Sequence, residues 1–211
     1  MTSDAPPECE NRVVARSRYD QLARLAEEHD GLFTSRQARG AGIADSVLSR
    51  LNQRGRIERM TRGVYRIPYV PLNRFSQYRE AVLWAKAQRG PKAVALSHET
   101  ALVAYGISDA NPPSIHLTVP RTARLRRKKA KAIVLHRRDI RPAEITIFEG
   151  LPVTTIGRTI ADLLDAGGRI DLTRQAIKDA QREGYIDRIE AKQLRRRVQC
   201  HVSPPRSKPK R

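Results

Sequence analysis

Three groups of residues have the types that chemistry requires. Ser97-His98-Glu99 places a nucleophile, a base and an acid in consecutive positions. A hydrolytic triad needs its members to converge within hydrogen-bond reach, and adjacent residues of a helix point in different directions. The same residues read more simply as a Ser N-cap opening a helix that ends near Tyr105-Gly106. His29, His98, His116, His136 and His201 form no close pair of the kind zinc sites use, so no metal ligand is assigned. Glu190-Ala191-Lys192 has the Glu-x-Lys order of metal-dependent nucleases, yet no strand supplies the convergent acids of a two-metal site. The expectation is a chain without a catalytic centre, cofactor or small-molecule substrate.

A fourth group suits recognition rather than catalysis. Ser46, Ser49, Arg50, Gln53 and Arg54 lie on one short amphipathic segment whose other face carries Val47, Leu48 and Leu51. A major groove about 12 Å wide admits one helix, and such side chains can then meet base edges. Arg50 is the foremost of them, because its planar fork matches the two acceptors of guanine. Arg36 and Arg39 before the segment, and Arg59, Thr61, Arg62 and Arg66 after it, suit phosphate contacts. A second basic run, Arg121, Arg124, Arg126, Arg127, Lys128, Lys129 and Lys131, reads as a loop between strands that could lengthen the footprint.

These residues need elements to hold them. A helix over about 17–29 carries Tyr19, Leu22, Leu25 and Ala26 at spacings of three and four, and Asp30-Gly31 ends it. Leu32-Phe33-Thr34 suits a small strand or an extended joint, and Ser35 is the expected cap of a helix over 36–39. Gly40-Ala41-Gly42 turns the chain, Ile43 anchors it, and a third helix follows over 44–54. Two strands, 57–60 and 64–67, joined by Thr61-Arg62-Gly63, then make a hairpin with a basic tip. That order is a winged helix-turn-helix. Pro68 and Pro71 place its end near residue 72.

Beyond it, a helix over 76–88 exposes Arg79, Glu80 and Lys86. Strands are expected at 115–119, 133–136, 145–148 and 151–153, the last two joined by Glu149-Gly150. Thr155 caps a helix with Ile156, Ile160, Leu163 and Leu164 inward, and helices starting at Asp171 and Asp187 follow. The fold class is α+β: a mobile leader over 1–13, a winged helix over 14–72, a mixed α+β domain over 76–200 and a basic disordered tail over 201–211.

Charge points to the partner. The chain has 41 Lys and Arg against 22 Asp and Glu in 211 residues, a net of +19 and a pI near 10.9. Residues 31–75 hold 9 basic and 2 acidic residues, whereas 1–30 hold 4 and 7. An excess of this size repels itself and is best matched by a polyanion, here double-stranded DNA. No apolar run approaches the ~18 residues of a membrane span, which excludes a membrane protein of the helical kind. The acidic N-terminus is unlike a signal peptide. Cys9 and Cys200, both in segments that read as poorly ordered, cannot build a disulfide framework, so the expected location is cytoplasmic.

The run DGLFTSRQARGAGIADSVLSRLNQRGRIERMTRGVYRIP, Asp30 to Pro68, resembles the N-terminal domain of AbiEi-type antitoxins, the regulator halves of type IV toxin–antitoxin (abortive infection) systems. ALSHETALVAYGI, Ala95 to Ile107, IHLTVP, Ile115 to Pro120, and GLPVTTIGRTIADLLD, Gly150 to Asp165, resemble the second half of the same family. The resemblance spans about 14–200. It implies repression of the protein's own operon and functional neutralisation of a nucleotidyltransferase toxin without a stable complex. Some relatives continue from the Gly150–Asp165 pattern into a nuclease-like domain; about 46 residues follow Asp165, which reads as too few for one. Two rival readings remain: an interaction module that binds a toxin protein or RNA directly, and a nucleic-acid-processing enzyme.

Overall fold

Leu22, Ala26, Phe33, Ala38, Ile43, Leu48, Ile57, Tyr65 and Ile67 come from successive elements of the first ninety residues and meet in one core. The computed structural model describes residues 18–87, 93–125 and 133–202, in two compact units that divide between Gly90 and Pro91. Among these residues the elements are mixed α and β, with a three-stranded sheet in the first unit and a five-stranded sheet in the second. None of the helices is long and apolar enough to cross a membrane. The leader over 1–13 and most of the basic tail, 203–211, lie outside the described residues.

In the first unit, helix α1 (described over 18–27) leads to β1 (Leu32–Thr34), α2 (Ser35–Gly40), α3 (Asp45–Gln53), β2 (Glu58–Thr61) and β3 (Val64–Arg66). β3 lies between β1 and β2, antiparallel to both, with Tyr65 opposite Phe33 on one side and Arg59 on the other. The Phe33 and Tyr65 rings stack at 5.7 Å. Thr34, not Ser35, caps α2. The Gln37 amide donates to Thr34 Oγ1 at 3.1 Å and the Thr34 amide donates to Gln37 Oε1 at 2.8 Å, a reciprocal box that Ser35, already helical, cannot form.

The two glycines of the Gly40-Ala41-Gly42 turn have different duties. Gly42 adopts φ +77°, a left-handed conformation that lets the Ile43 amide reach back to the Ala38 carbonyl at 2.9 Å and drives Ile43 into the core. Gly40 ends α2 at a negative φ with open space where a Cβ would stand.

Helix α4 (Ser76–Ala87) corrects the expected boundary near residue 72, for it packs on β1 and β3 and belongs to the first unit. Its Tyr78, Ala81, Val82, Leu83, Trp84 and Ala85 are all buried. Arg79, expected to face solvent, is buried as well. Its Nε donates to Asp30 Oδ2 at 2.7 Å, and Asn73 Nδ2 donates to the same oxygen at 2.7 Å. The hydrogen bond from Asn73, and then the Arg79 charge, hold the Asp30 carboxyl below its ordinary range. Periodicity misses this because α4 is buried nearly all round, polar residues included, and a long-range ion pair has no local signal.

The second unit is built on a sheet ordered β6-β5-β4-β8-β7: β4 (Ala95–Leu96), β5 (Ile115–Val119), β6 (Ile133–Arg137), β7 (Ile145–Phe148) and β8 (Leu151–Thr154). β5 and β6 run parallel, as do β4 and β8. β7 and β8 form the expected hairpin, with Glu149 and Gly150 both at positive φ. Helix α5 (His98–Tyr105) packs on β5, β8 and α6 (Ile156–Asp165), and α6, α7 (Ile170–Arg182) and α8 (Arg188–Val202) pack on one another. Thr155 caps α6 as expected, and the Glu190 amide donates to Asp187 Oδ1 at 2.7 Å at the start of α8. Cys200, expected in a disordered stretch, lies exposed on α8, which runs past residue 200 because Ala191, Leu194 and Val198 form a buried stripe.

The turn generates a paired test. Gly42→Ala forces an L-residue into the left-handed region and costs about 1–2 kcal/mol. Gly40→Ala is neutral or stabilising by up to about 1 kcal/mol, since helical Ala outranks Gly. Urea unfolding of both variants measures the contrast; equal effects would contradict the assigned geometry.

Candidate nucleic-acid interface and a histidine cluster

Helix α3 is fixed from its inner side. Leu48 is fully buried, Val47 and Leu51 are partly buried against the same core, and Ile57 closes it from below the helix end. Ser46, Ser49, Arg50 and Gln53 are all exposed. Their spacing of three, four and seven residues puts them on one stripe facing solvent. Arg54 follows as the exposed C-cap residue. The Ser49 hydroxyl donates to the Asp45 carbonyl at 3.1 Å, which orients its remaining lone pairs outward.

Residues 31–67 contain two acids, Asp45 and Glu58, and each is engaged by a guanidinium. Arg39 grips Asp45 with one nitrogen at 3.1 and 2.9 Å, joining α2 to the start of α3. Arg66 Nη1 reaches Glu58 at 3.4 Å across the hairpin. Among the described residues, Arg50, Arg54, Arg59 and Arg62 have no acidic partner and are exposed, so they set the local field. Arg36 is exposed on α2.

Not every arginine expected at this surface is presented there. The Arg66 side chain is only 15% exposed and donates to the Pro68 carbonyl at 3.3 Å and the Val70 carbonyl at 2.9 Å, tying the exit of β3. Thr61 is half-buried beside a bulge between Arg59 and Thr61 that tilts the hairpin. Arg39 is occupied largely by Asp45. Sequence periodicity does not single out Asn52, whose Oδ1 accepts the Arg59 amide at 2.9 Å and couples α3 to the hairpin. A polar residue on the inner flank of an amphipathic helix is the one signal that could have found it. Arg56, likewise unassigned, covers the Tyr19 ring at 4.7 Å.

Of the second basic run, Arg121 and Arg124 are exposed, and Arg121 lies 3.9 Å from Asp139. Buried Ala123 and Leu125 anchor their segment. Arg126, Arg127, Lys128, Lys129 and Lys131 lie outside the described residues.

Residues 20–68 match the AbiEi antitoxin transcriptional-regulator family. The match covers α1 through the hairpin, the elements just described, and the family is one of regulators. No curated protein matches the chain. Among solved structures, the chain is similar to the RV2827C protein from Mycobacterium tuberculosis at 15% identity and a TM-score of 0.42, covering 86% of this chain and 80% of that one.

The second unit brings together what the sequence keeps apart. His98, His116 and His136 were expected to stand separately, yet one ring nitrogen of each lies within 4.8 Å of the others. The sheet register is the reason. His116 pairs with Val134 and Thr118 with His136, so His116 and His136 are diagonal neighbours on one face. The Ser97 amide bonds the His116 carbonyl at 3.0 Å, and His98 follows at φ +53°, which folds its ring back over that face.

That backbone turn also makes Ser97 and His98 converge, contrary to the expectation for adjacent residues: Ser97 Oγ and His98 Nδ1 are 3.0 Å apart. Ser97 is fully buried, and His98 Nε2 faces no acid, so the pair lacks the relay order of a hydrolytic triad. Among the described residues His98 Nε2 and Thr118 Oγ1 are buried without hydrogen-bond partners.

Burial, and then the neighbouring histidines, push His98 down to about 3 and His136 to about 4; burial lowers His116 as well. These values lie below the ~6.5 of an unfolded histidine, so the unfolded chain takes up protons first as pH falls. Stability from the cluster is complete above about pH 6.5 and declines toward pH 4. The urea midpoint, measured in chelator between pH 7.5 and 5, is expected to fall. His136→Gln is expected to reduce that fall, leaving the shares of His98, His116 and His29, which burial also lowers.

Proposed function

We propose that the first unit binds double-stranded DNA, with α3 in the major groove and the β2–β3 hairpin as the wing against the adjacent backbone. One observation carries the reading: Ser46, Ser49, Arg50 and Gln53 form a solvent-facing stripe on a helix pinned from behind. The engagement of Asp45 and Glu58 supports it, because a phosphate row approaching the stripe meets neutralised carboxylates. Arg50 and Gln53 read bases, Ser46 and Ser49 contribute through their hydroxyls, and Arg36, Arg54, Arg59 and Arg62 hold phosphate. Arg39 and Arg66 act mainly by positioning α3 and the hairpin.

In this reading the protein is a sequence-specific repressor of its own operon and the antitoxin of a type IV pair. It opposes a nucleotidyltransferase toxin without a stable complex. The family match over 20–68 supports the regulator part; the resemblance of the second half supports the antitoxin part. Stable co-purification of the toxin with this protein would instead favour an interaction module.

Arg50→Ala should weaken binding to the operator by about 1–3 kcal/mol, about five- to 160-fold in Kd, and relax base preference. Fluorescence anisotropy on cognate and scrambled duplexes measures both. Equal weakening on the two duplexes would reduce Arg50 to a phosphate ligand. If the second basic run joins the footprint, replacing Arg121, Arg124, Arg126 and Arg127 by Gln lowers the salt slope by about 0.9 logarithmic units for every phosphate no longer neutralised. An unchanged slope removes that run from the interface.

A further inference from the structure

We propose that His98, His116 and His136 form a three-nitrogen site for a borderline divalent transition-metal ion of the zinc(II) and cobalt(II) class. The ligand atoms follow from the geometry. His98 Nδ1 is engaged by Ser97 Oγ at 3.0 Å, which leaves the buried Nε2 of His98, otherwise without a partner, as its free donor. His136 Nε2 and His116 Nδ1 share a hydrogen bond at 3.1 Å, whose proton a bound ion would displace. Two nitrogens bound tetrahedrally to one zinc at 2.0–2.1 Å lie about 3.3 Å from each other, so this pair already has a chelating separation.

The ring positions agree, with one adjustment. Ligands of one ion at that bond length have ring centroids about 5 Å apart. His116 meets this with both neighbours, at 5.1 Å from His136 and 5.7 Å from His98. His98 and His136 are stacked face to face, at 3.5 Å and 17°, so loading requires these two rings to separate and tilt until their in-plane lone pairs converge. The Ser97–His98 hydrogen bond fixes the tautomer and aim of a ligating imidazole from outside.

Two further observations point to a ligand rather than to ordinary packing. His98 is a non-glycine residue held in the left-handed region at φ +53°, a conformation that costs energy and recurs where a side chain must be aimed. His98 is also 3% exposed with a ring nitrogen unsatisfied, a buried polar atom that folding normally pairs. Imidazole donors without thiolate or a clustered carboxylate select zinc-like ions over magnesium or calcium. Three protein nitrogens leave a fourth position for a small exogenous ligand.

The test uses the full chain, untagged and carrying Cys200→Ser, stripped with chelator. Cobalt(II) titration should give visible d–d absorption saturating at one equivalent, reversed by zinc(II), and zinc(II) should raise the melting temperature. His116→Ala and His136→Ala, at the two partly exposed positions, should each lower zinc affinity at least tenfold while far-UV circular dichroism is retained. Ser97→Ala should lower it by about ten- to a hundredfold. Absence of both the absorption band and the thermal shift in the parent protein overturns the site. So does undiminished one-equivalent binding in the His116→Ala/His136→Ala double variant.

Discussion

Leu48 is fully buried in the cluster that contains Leu22, Ile43 and Ile57, and that packing decides which face of α3 meets solvent. A nine-residue helix cannot persist in water by itself, because nucleation costs more than so few hydrogen bonds return. The core therefore holds it in being. Burying one leucine contributes about 1.5–3 kcal/mol, enough to hold a single rotational setting when the flanking Val47 and Leu51 agree with it. Once the inner face is pinned, the periodicity of the helix leaves Ser46, Ser49, Arg50 and Gln53 outside together. The Gly42 turn, the Thr34–Gln37 box and the Asn52–Arg59 bond refine that setting from three sides.

Electrostatics is arranged on top of this packing. Exposed ion pairs such as Arg39–Asp45 add little to stability. Their consequence here is local: they cancel the negative charges that would otherwise sit beside the exposed stripe. Arg66 shows the converse use of the same side chain. Held at low exposure between Glu58 and two backbone carbonyls, it braces the hairpin instead of extending from it. Arginine count alone therefore overstates a binding surface, and the surface is better described by which guanidinium groups have no carboxylate beside them.

The second unit follows a different logic. Its sheet and helices enclose polar groups that are mostly satisfied: Tyr105 donates to the Thr154 carbonyl at 3.0 Å, the Thr154 and Thr159 hydroxyls bond each other at 2.7 Å, and Arg158 joins Glu144 at 3.0 Å. The histidine cluster departs from that pattern, combining a strained backbone, an unsatisfied nitrogen and three desolvated rings. Departures of this kind accumulate where a structure has a task beyond holding itself together.

Local chemistry written in the chain determined the α+β class, the helix-turn-helix order, the hairpin and the outward residues of α3. These depend on capping, turn residues and periodicity, all of which act over a few positions. Tertiary structure decided the rest. Attachment of α4 to the first unit, burial of Arg79 against Asp30 and withdrawal of Arg66 depend on partners two to forty-nine residues away. Convergence of His98, His116 and His136 depends on parallel strand register together with one left-handed residue. Periodicity is a property of a segment, whereas register and ion pairing are properties of two segments that meet only after the chain has folded.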